Sequence, residues 1–506
     1  MILDHPRRVS VERCINIHDF SVSCIIFSTI RRINLTEYRL IEESIRKQLS
    51  FFFTRQEIDL LAHKTKFVQR TGLLGGFTFL CLLAFNTDAL AFESLNDLTV
   101  KLELDHGICI KKQSLDGRFN QYAVSFLTTA LSELFNKQLA DGKSLLMSCD
   151  QFKRILIKDS VCFQVDKSLS TYYPGSGGSG SAASVRVQFE YDLVSGKIVD
   201  LSLNAFNDQD ATNSALTLDV VREGDLVIRD LAYMHFSVLQ GILRNLGDFL
   251  CRLQANKHVY QLQGKKIVEL DFSRIVRSMT SAGIDKFEEK VFLDRQMTLQ
   301  VRLFVYLLPE MVYQERMRKA NLNAQKKGRQ VGKEFKARAR LNLLITSASD
   351  KLLDIENAWK AYKLRWQIEL VFKTWKSLWK IDKIKKVKKE RLECYIYAKL
   401  FIIVLSLNML WITHNLMRGF YGKNLSFYKA LKTWMKSLDR FKQAFFNGTE
   451  AVTNFLIKFL ELSSRKHLLE KRKNGNYSPE IVQGIFTLRF GGELIPSCDM
   501  ISAATA

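Results

Sequence analysis

The sequence predicts an α/β protein built on a mixed sheet, interrupted by a β-rich insertion and flanked on both sides by mainly helical regions. Three observations carry that prediction. Residues 1–150 place apolar side chains at helical spacing, as in "LTEYRLIEESIRKQLSFFF" and "NQYAVSFLTTALSELFNKQL", with no competing strand alternation. From residue 151 the texture becomes three strands, helix, strand, helix, strand, an order that gives a mixed sheet. Residues 256–340 break this order with further strand-like pieces, and "LNLLITSA" (341–348) then returns to the sheet.

Within the helical start, residues 94–127 read as a small helix-turn-helix-like unit. "RILIKDS" is a short apolar run ending in an acid. "VRVQFEYDLVSGKIVDLSLN" alternates Val185, Val187, Phe189 and Tyr191 against Arg186, Gln188 and Glu190, then turns through "SGK", which is a hairpin pattern. A helical stretch at 211–222 leads to "GDLVIRD", again an apolar strand ending in an acid. The helix "YMHFSVLQGILRNLG" and the strand "DFLCRL" follow. In the insertion, "HVYQLQGKKIVEL" and "KVFLDRQMTLQVRLFVYLL" read as strands, and "RKANLNAQKKGRQVGKEFKARAR" is strongly basic. The expected divisions are an unassigned extension (1–38), a helical domain (39–150), a sheet domain in two parts (151–255 and 341–400), the insertion (256–340) and a C-terminal helical region (401–506).

Charge narrows the function. Lysine and arginine total 75 against 52 acids, a net +23 in 506 residues. Such an excess selects a polyanionic partner, nucleic acid first and an anionic membrane surface second. A hydrophobic content of 47% excludes wholesale disorder. The nine cysteines contain no C-x-x-C pair and the eight histidines are dispersed, which excludes a disulfide framework and a structural zinc site. "MILDHPRRVS" is a poor secretory signal. Two apolar runs, 72–85 and 396–414, read as buried core helices: the first is short for a bilayer, and the second contains Lys399, Asn408 and His414. The expectation is a cytoplasmic protein with no membrane partner. "GSGGSG" (175–180) has dinucleotide-loop spacing but stands between strands, so it reads as a flexible loop whose N–H groups can touch a phosphate. "GKS" (142–144) lacks a phosphate loop's first glycine, since Lys137 stands there, and no nucleotide cofactor is expected.

"YKLRWQIELVFKTWK" (362–376) holds one acid, Glu369, among bases and aromatic rings. As a single α-helix turning about 100° per residue, it puts Tyr362, Arg365, Glu369 and Lys376 on one stripe. Ile368, Phe372, Trp375 and Trp379 fall on a broad apolar face. Two readings follow: an ion-paired core helix, through Arg365 four residues from Glu369, or an acid held at a working edge. Asp159 and Asp230 each end an apolar strand, and Asp166 rivals Asp159. Singly these are turn residues. Carboxylates from two strand ends and a neighbouring helix can together clasp two Mg²⁺ ions about 4 Å apart. One ion then activates the attacking water or 3′-hydroxyl and the other stabilises the leaving 3′-oxygen. Hard cations take oxygen ligands, which accounts for acids rather than cysteine or histidine.

These residues resemble the DDE transposases of the insertion-sequence-four family. Tyr362, Arg365, Glu369 and Lys376 are similar to that family's Y-R-E-K signature at its full spacing. "ILIKDS" with Asp159 and "DLVIRDLAY" with Asp230 look like its two aspartate strands, and the gap of 139 positions from Asp230 to Glu369 suits its β-rich insertion. The resemblance covers residues 40 to 415. It implies an RNase H-like catalytic domain, with Asp159, Asp230 and Glu369 as catalytic residues and ligands of two Mg²⁺ ions (Mn²⁺ can substitute). It implies that Tyr362, Arg365 and Lys376 grip the DNA backbone. The activity implied is cut-and-paste transposition: binding of terminal inverted repeats, hydrolysis that frees a 3′-hydroxyl, and direct strand transfer into target DNA. Double-stranded DNA, as transposon ends and target, and a homodimer in the synaptic complex are the implied partners, in a prokaryotic cytoplasm at the nucleoid.

On that footing the helical domain 39–150 is expected to recognise the element's ends, and 401–506 is a candidate for dimerisation. The insertion's Lys319, Lys326, Lys327, Arg329, Lys333, Lys336, Arg338 and Arg340, with "KIDKIKKVKKER" (380–391), are expected at DNA. The chain departs from the family pattern at Val161, commonly Thr, and at Ala232, commonly Gly. The alternatives are a nuclease on the same fold that does not join, and an inactive DNA-binding regulatory remnant.

Overall fold

The computed structural model describes residues 35–469 apart from 50–51, 71, 88, 141–146, 177–180, 209 and 255–256, together with residues 488–490. The extension 1–38 therefore lies almost wholly outside the described residues, as do "GKS" at 142–144 and the last four residues of "GSGGSG". The described strands are β1 (Met147–Cys149), β2 (Arg154–Gln164), β3 (Ser184–Asp192), β4 (Ile198–Ala205), β5 (Asp225–Arg229), β6 (Asp248–Arg252), β7 (Tyr260–Gln263), β8 (Lys266–Glu269), β9 (Lys286–Phe292), β10 (Gln300–Leu307), β11 (Leu341–Thr346) and β12 (Leu488–Phe490).

Ten of them form one sheet in the order β4-β3-β2-β5-β6-β11-β10-β9-β7-β8, while β1 pairs with β12 apart from it. The neighbours β2, β5 and β6 run parallel, and the other pairs in the sheet are antiparallel. Parallel strands are covered on both faces, which is why "ILI" in β2 and "LVI" in β5 are wholly apolar and buried. Parallel pairing of β2 with β5 ends at Lys158 and Arg229. Asp159 and Asp230 come next on each chain. Asp230 does end its strand, but Asp159 does not: β2 runs on to Gln164, held by its antiparallel partner β3.

The β3–β4 hairpin forms as its alternation predicts, with Val185, Val187, Phe189 and Tyr191 in the core. At its turn Gly196 has φ +70°, and a Cβ there would meet the Trp411 ring at 2.1 Å. Only glycine fits that close approach. The polar face of the hairpin is covered by the helix Asp210–Leu216, whose Asp210 accepts from Arg186 and Gln188 of β3 while its Ser214 accepts from Arg229 of β5.

The insertion is less β-rich than expected. Residues 256–340 hold β7 to β10, which continue the same sheet beyond β11, and also three helices. Its basic stretch is helical, Glu310–Lys326 and Lys333–Ala339, and the first of these buries no residue.

One core joins the N-terminal helices, one face of the sheet and the helix Lys389–Tyr421. That helix is long and apolar enough to cross a membrane, yet 83% of its most apolar window is buried within the protein. It packs between the helices Gln121–Ala140 and Thr449–Lys466. Lys399, fully buried there, donates to the carbonyls of Lys380 and Lys383 at 2.8 and 3.0 Å. The run 72–85 likewise forms a buried helix, Gly76–Ala84. Residues 94–127 fold as the helices Leu95–His106, Lys112–Arg118 and the start of Gln121–Ala140.

Candidate active site

The segment 362–376 is two helices, Ile355–Lys363 and Trp366–Ser377, rather than one. At the junction the N–H groups of Leu364 and Arg365 donate three residues back, to Ala361 and Tyr362. That tightened turn still has helical backbone angles at Leu364 and Arg365, so the stripe is displaced rather than destroyed. Ile368, Phe372 and Trp375 bury themselves against the sheet, with Trp375 5.0 Å from the Phe189 ring of β3. This anchoring turns Glu369, in the first turn of the second helix, toward the middle of β2 and the end of β5.

The three acids meet there. Arg365 stands among them: its guanidinium lies 3.4 Å from Asp159, 3.4 Å from Glu369 and 4.0 Å from Asp230. These contacts are long beside ion pairs elsewhere in the chain, such as 2.8 Å for Arg229–Glu190. The Arg365 Nε is buried and makes no hydrogen bond among the described residues. The acids are not used up by the arginine. A cavity of about 350 Å³ opens over Asp159, Asp230, Arg365, Glu369 and Lys376. Burial raises Asp159 to about 6, against the lowering effects of the Ser160 N–H (2.8 Å) and Arg365. The same crowding of acids keeps Arg365 above its ordinary value although burial works the other way.

Each expected site residue has a definite place. Lys376 is exposed at the cavity and donates to the Cys162 carbonyl at 3.1 Å. Tyr362 is buried: its hydroxyl donates to Asp230 at 3.4 Å, its ring stacks on Trp359, and the Arg252 guanidinium lies over both rings. Lys326, Lys327 and Arg329 are exposed on the insertion. Arg338 is not available to DNA. Its guanidinium is buried, donates to the carbonyls of Gln254 and Lys257, and covers the Phe272 ring. Arg340 pairs with Glu310 and lies over Tyr313. A charge run cannot reveal from sequence which of its members turn inward. Asp166 is spent as a cap, accepting from Ser168 N and Oγ at 3.0 and 2.6 Å, and does not line the cavity. Lys373 does line it and was missed, although its place four residues after Glu369 signals it.

Among the described residues no group of three His, Cys, Asp or Glu side chains is close enough to form a ready-made metal cage. The donor set fits a hard divalent cation nonetheless: three carboxylates border one cavity, with side chains 22% (Asp159), 42% (Asp230) and 36% (Glu369) exposed. Both departures from the family pattern are accommodated. Val161 is buried at the cavity wall, and Ala232 does not need positive φ.

Residues 150–405 match the profile of the transposase DDE domain. The chain belongs to that family. It is 30% identical over 462 residues to the transposase for insertion sequence element IS231E of Bacillus thuringiensis subsp. finitimus, covering 88% of this chain and 94% of the relative. It is 30% identical over 454 residues to that for IS231F of B. thuringiensis subsp. israelensis (86% and 93% covered). The transposase for IS1151 of Clostridium perfringens is more distant, 24% identical over 446 residues (85% and 93%). The matched DDE domain spans β2 to β11, both aspartates and the whole signature segment, so the cavity lies inside the family domain.

Proposed function

We propose that this insertion-sequence transposase cleaves and rejoins DNA with Asp159, Asp230 and Glu369 as its catalytic carboxylates. The convergence of these three acids, from two adjacent strands and one helix, on a single cavity supports the reading. The strand order β4-β3-β2-β5-β6, three antiparallel followed by two parallel neighbours, supports an RNase H-like domain.

The carboxylates would hold divalent cations, Mg²⁺ or Mn²⁺ and two of them in this reading. When bound, such ions lower the pKa of an attacking water or hydroxyl and offset charge on the phosphate. Asp159 and Asp230 supply ligands from a rigid sheet, and Glu369 supplies one from a helix anchored by Trp375. Arg365 and Lys376 place positive charge at the cavity, where a phosphodiester would sit. Tyr362 orients Asp230 through its hydroxyl instead of gripping DNA from the surface.

Water attacks at the transposon end and frees a 3′-hydroxyl, which then attacks the target strand by direct transesterification. The partners in this reading are terminal inverted repeats, target DNA and a second copy of the chain in the synaptic complex. The helices of residues 39–150 would read the ends and residues 401–506 would serve dimerisation. The setting is the bacterial cytoplasm, at the nucleoid.

The test uses purified protein, Mg²⁺ and a labelled duplex carrying the element's own end, with Glu369→Gln in parallel. Metal-dependent nicking at the end with recovery of joined product, both absent in Glu369→Gln, supports transposition. Nicking without joining selects a nuclease. Specific binding without cutting, equal for both proteins, selects a regulatory remnant.

A further inference from the structure

The residue immediately before each aspartate is a buried base: Lys158 before Asp159, and Arg229 before Asp230, each 0% exposed. They are register partners, the last parallel pair between β2 and β5. Both point to the sheet face opposite the aspartates, because neighbouring residues of a strand alternate faces. One carboxylate joins them. Glu190 on β3, also 0% exposed, accepts from Arg229 through both its oxygens at 2.8, 2.9 and 3.0 Å and lies 3.7 Å from Lys158. Glu190 sits opposite Lys158 at a β-bulge in the β3–β4 pairing, between Glu190 and Tyr191. Bulges re-aim side chains.

The helix Asp210–Leu216 and the turn after it close the layer. Ser214 Oγ accepts from Arg229 at 2.6 Å, and Thr217 Oγ1 accepts from Lys158 at 2.8 Å. Asp200 on β4 takes the Lys158 ammonium at 2.7 Å.

We infer that Glu190 is a positioning residue that fixes the separation of Asp159 and Asp230 by clamping the bases before them. The inference rests on the reading of those aspartates as metal ligands. An ion needs its oxygens placed within tenths of an ångström, and Asp159 and Asp230 stand just past the last parallel pair, where β2 and β5 cease to hold each other. Glu190 supplies a cross-tie at that level, from the dry side of the sheet. An apolar pair at these positions would bury more cheaply, so a pure stability role does not account for three fully buried charges.

The test counts Mn²⁺ binding to the full chain by the electron paramagnetic resonance signal of free Mn²⁺. The informative variant is the charge-balanced double Glu190→Gln/Arg229→Gln, which leaves Lys158 paired with Asp200. Its control is Arg154→Gln/Asp225→Asn, which removes the 2.9 Å pair at the other end of the same two strands. The expected result is a folded double variant with Mn²⁺ affinity weakened about tenfold, against no more than about twofold for the control. Equal weakening by both doubles, or none by the first, overturns the inference. So does failure of the Glu190 double to fold, since the layer would then hold the sheet and not the site. Asp159→Asn separates the two failures. If it binds Mn²⁺ as the parent does, the metal reading itself falls; if it weakens binding while the Glu190 double does not, only the cross-tie falls.

Discussion

The Tyr362 hydroxyl donates to Asp230 at 3.4 Å across a sequence separation of 132 residues. The bond is long, and burial with Asp230 beside it pushes the phenol up to about 12, so it stays protonated as a donor at neutral pH. Tyr362→Phe keeps the ring against Trp359 and Arg252 and removes only this bond. End cleavage should fall by roughly three- to tenfold, about 1 kcal/mol, with unchanged DNA affinity. Tyr362→Ala empties a buried ring site and should destabilise the fold by about 3 kcal/mol. Cleavage rates beside thermal unfolding of both variants check this; weaker DNA binding by Tyr362→Phe would return the hydroxyl to a DNA-gripping role.

Arg365 decides between a structural ion pair and a working base. Its contacts at 3.4 to 4.0 Å and its unbonded Nε make it a loose strut. Arg365→Gln should therefore shift the melting temperature by no more than about 1 °C, the equivalent of about 1 kcal/mol or less in a chain of this length. It should lower end cleavage at least tenfold, on the order of 1.4 kcal/mol or more in the barrier. A large drop in melting temperature with cleavage per folded molecule intact would identify an ion-paired core helix instead.

His414, buried in the long helix against Trp411 and Phe427, provides a pH test of that helix's burial. Burial, with Arg418 nearby, pushes it down to about 3 from its ordinary 6.5, and Nδ1 has no hydrogen-bond partner among the described residues. In the unfolded chain it takes up a proton below about 6.5, while the folded chain refuses one until about 3. Stability from neutral His414 is thus complete above about 6.5 and is lost as pH falls toward 3. His414→Phe removes that slope. Between pH 7 and 5 the variant should lose about 2 kcal/mol less stability than the parent, at about 1.4 kcal/mol per unit. Parallel losses in denaturant titrations would place His414 in contact with solvent.

How much of this was legible in the sequence depends on range. The spacing of Tyr362, Arg365, Glu369 and Lys376 could be read because helical periodicity is local, and Asp159 and Asp230 because each follows an apolar run. The break at Leu364–Arg365 could not, since it is a choice of hydrogen-bond partner between two nearly identical backbone shapes. Nor could the continuation of β2 past Asp159, which depends on pairing with β3. Lys158 and Arg229 did leave a trace, as charges inside runs otherwise fit for a buried parallel strand. Nothing local says that one glutamate joins them.

The basic insertion shows the same limit and gives the sharpest separation of roles. Lys326, Lys327 and Arg329 are exposed near the end of a helix that buries no residue, whereas Arg338 is inward and held by two carbonyls. If the first three neutralise phosphates, replacing them together with Gln weakens DNA binding and flattens log K against log salt by about 0.9 for each phosphate left without its cation. The melting temperature should not move, because surface charges of this kind contribute little to folding. Arg338→Ala should do the reverse, with stability falling by roughly 2 to 3 kcal/mol as two carbonyls and a ring lose their partner. Its salt slope should match the parent's. An Arg338→Ala slope that flattens with stability unchanged would mean that the guanidinium turns out to meet DNA. An unchanged slope in the triple variant would remove this face of the insertion from the DNA path and leave "KIDKIKKVKKER" to carry the charge.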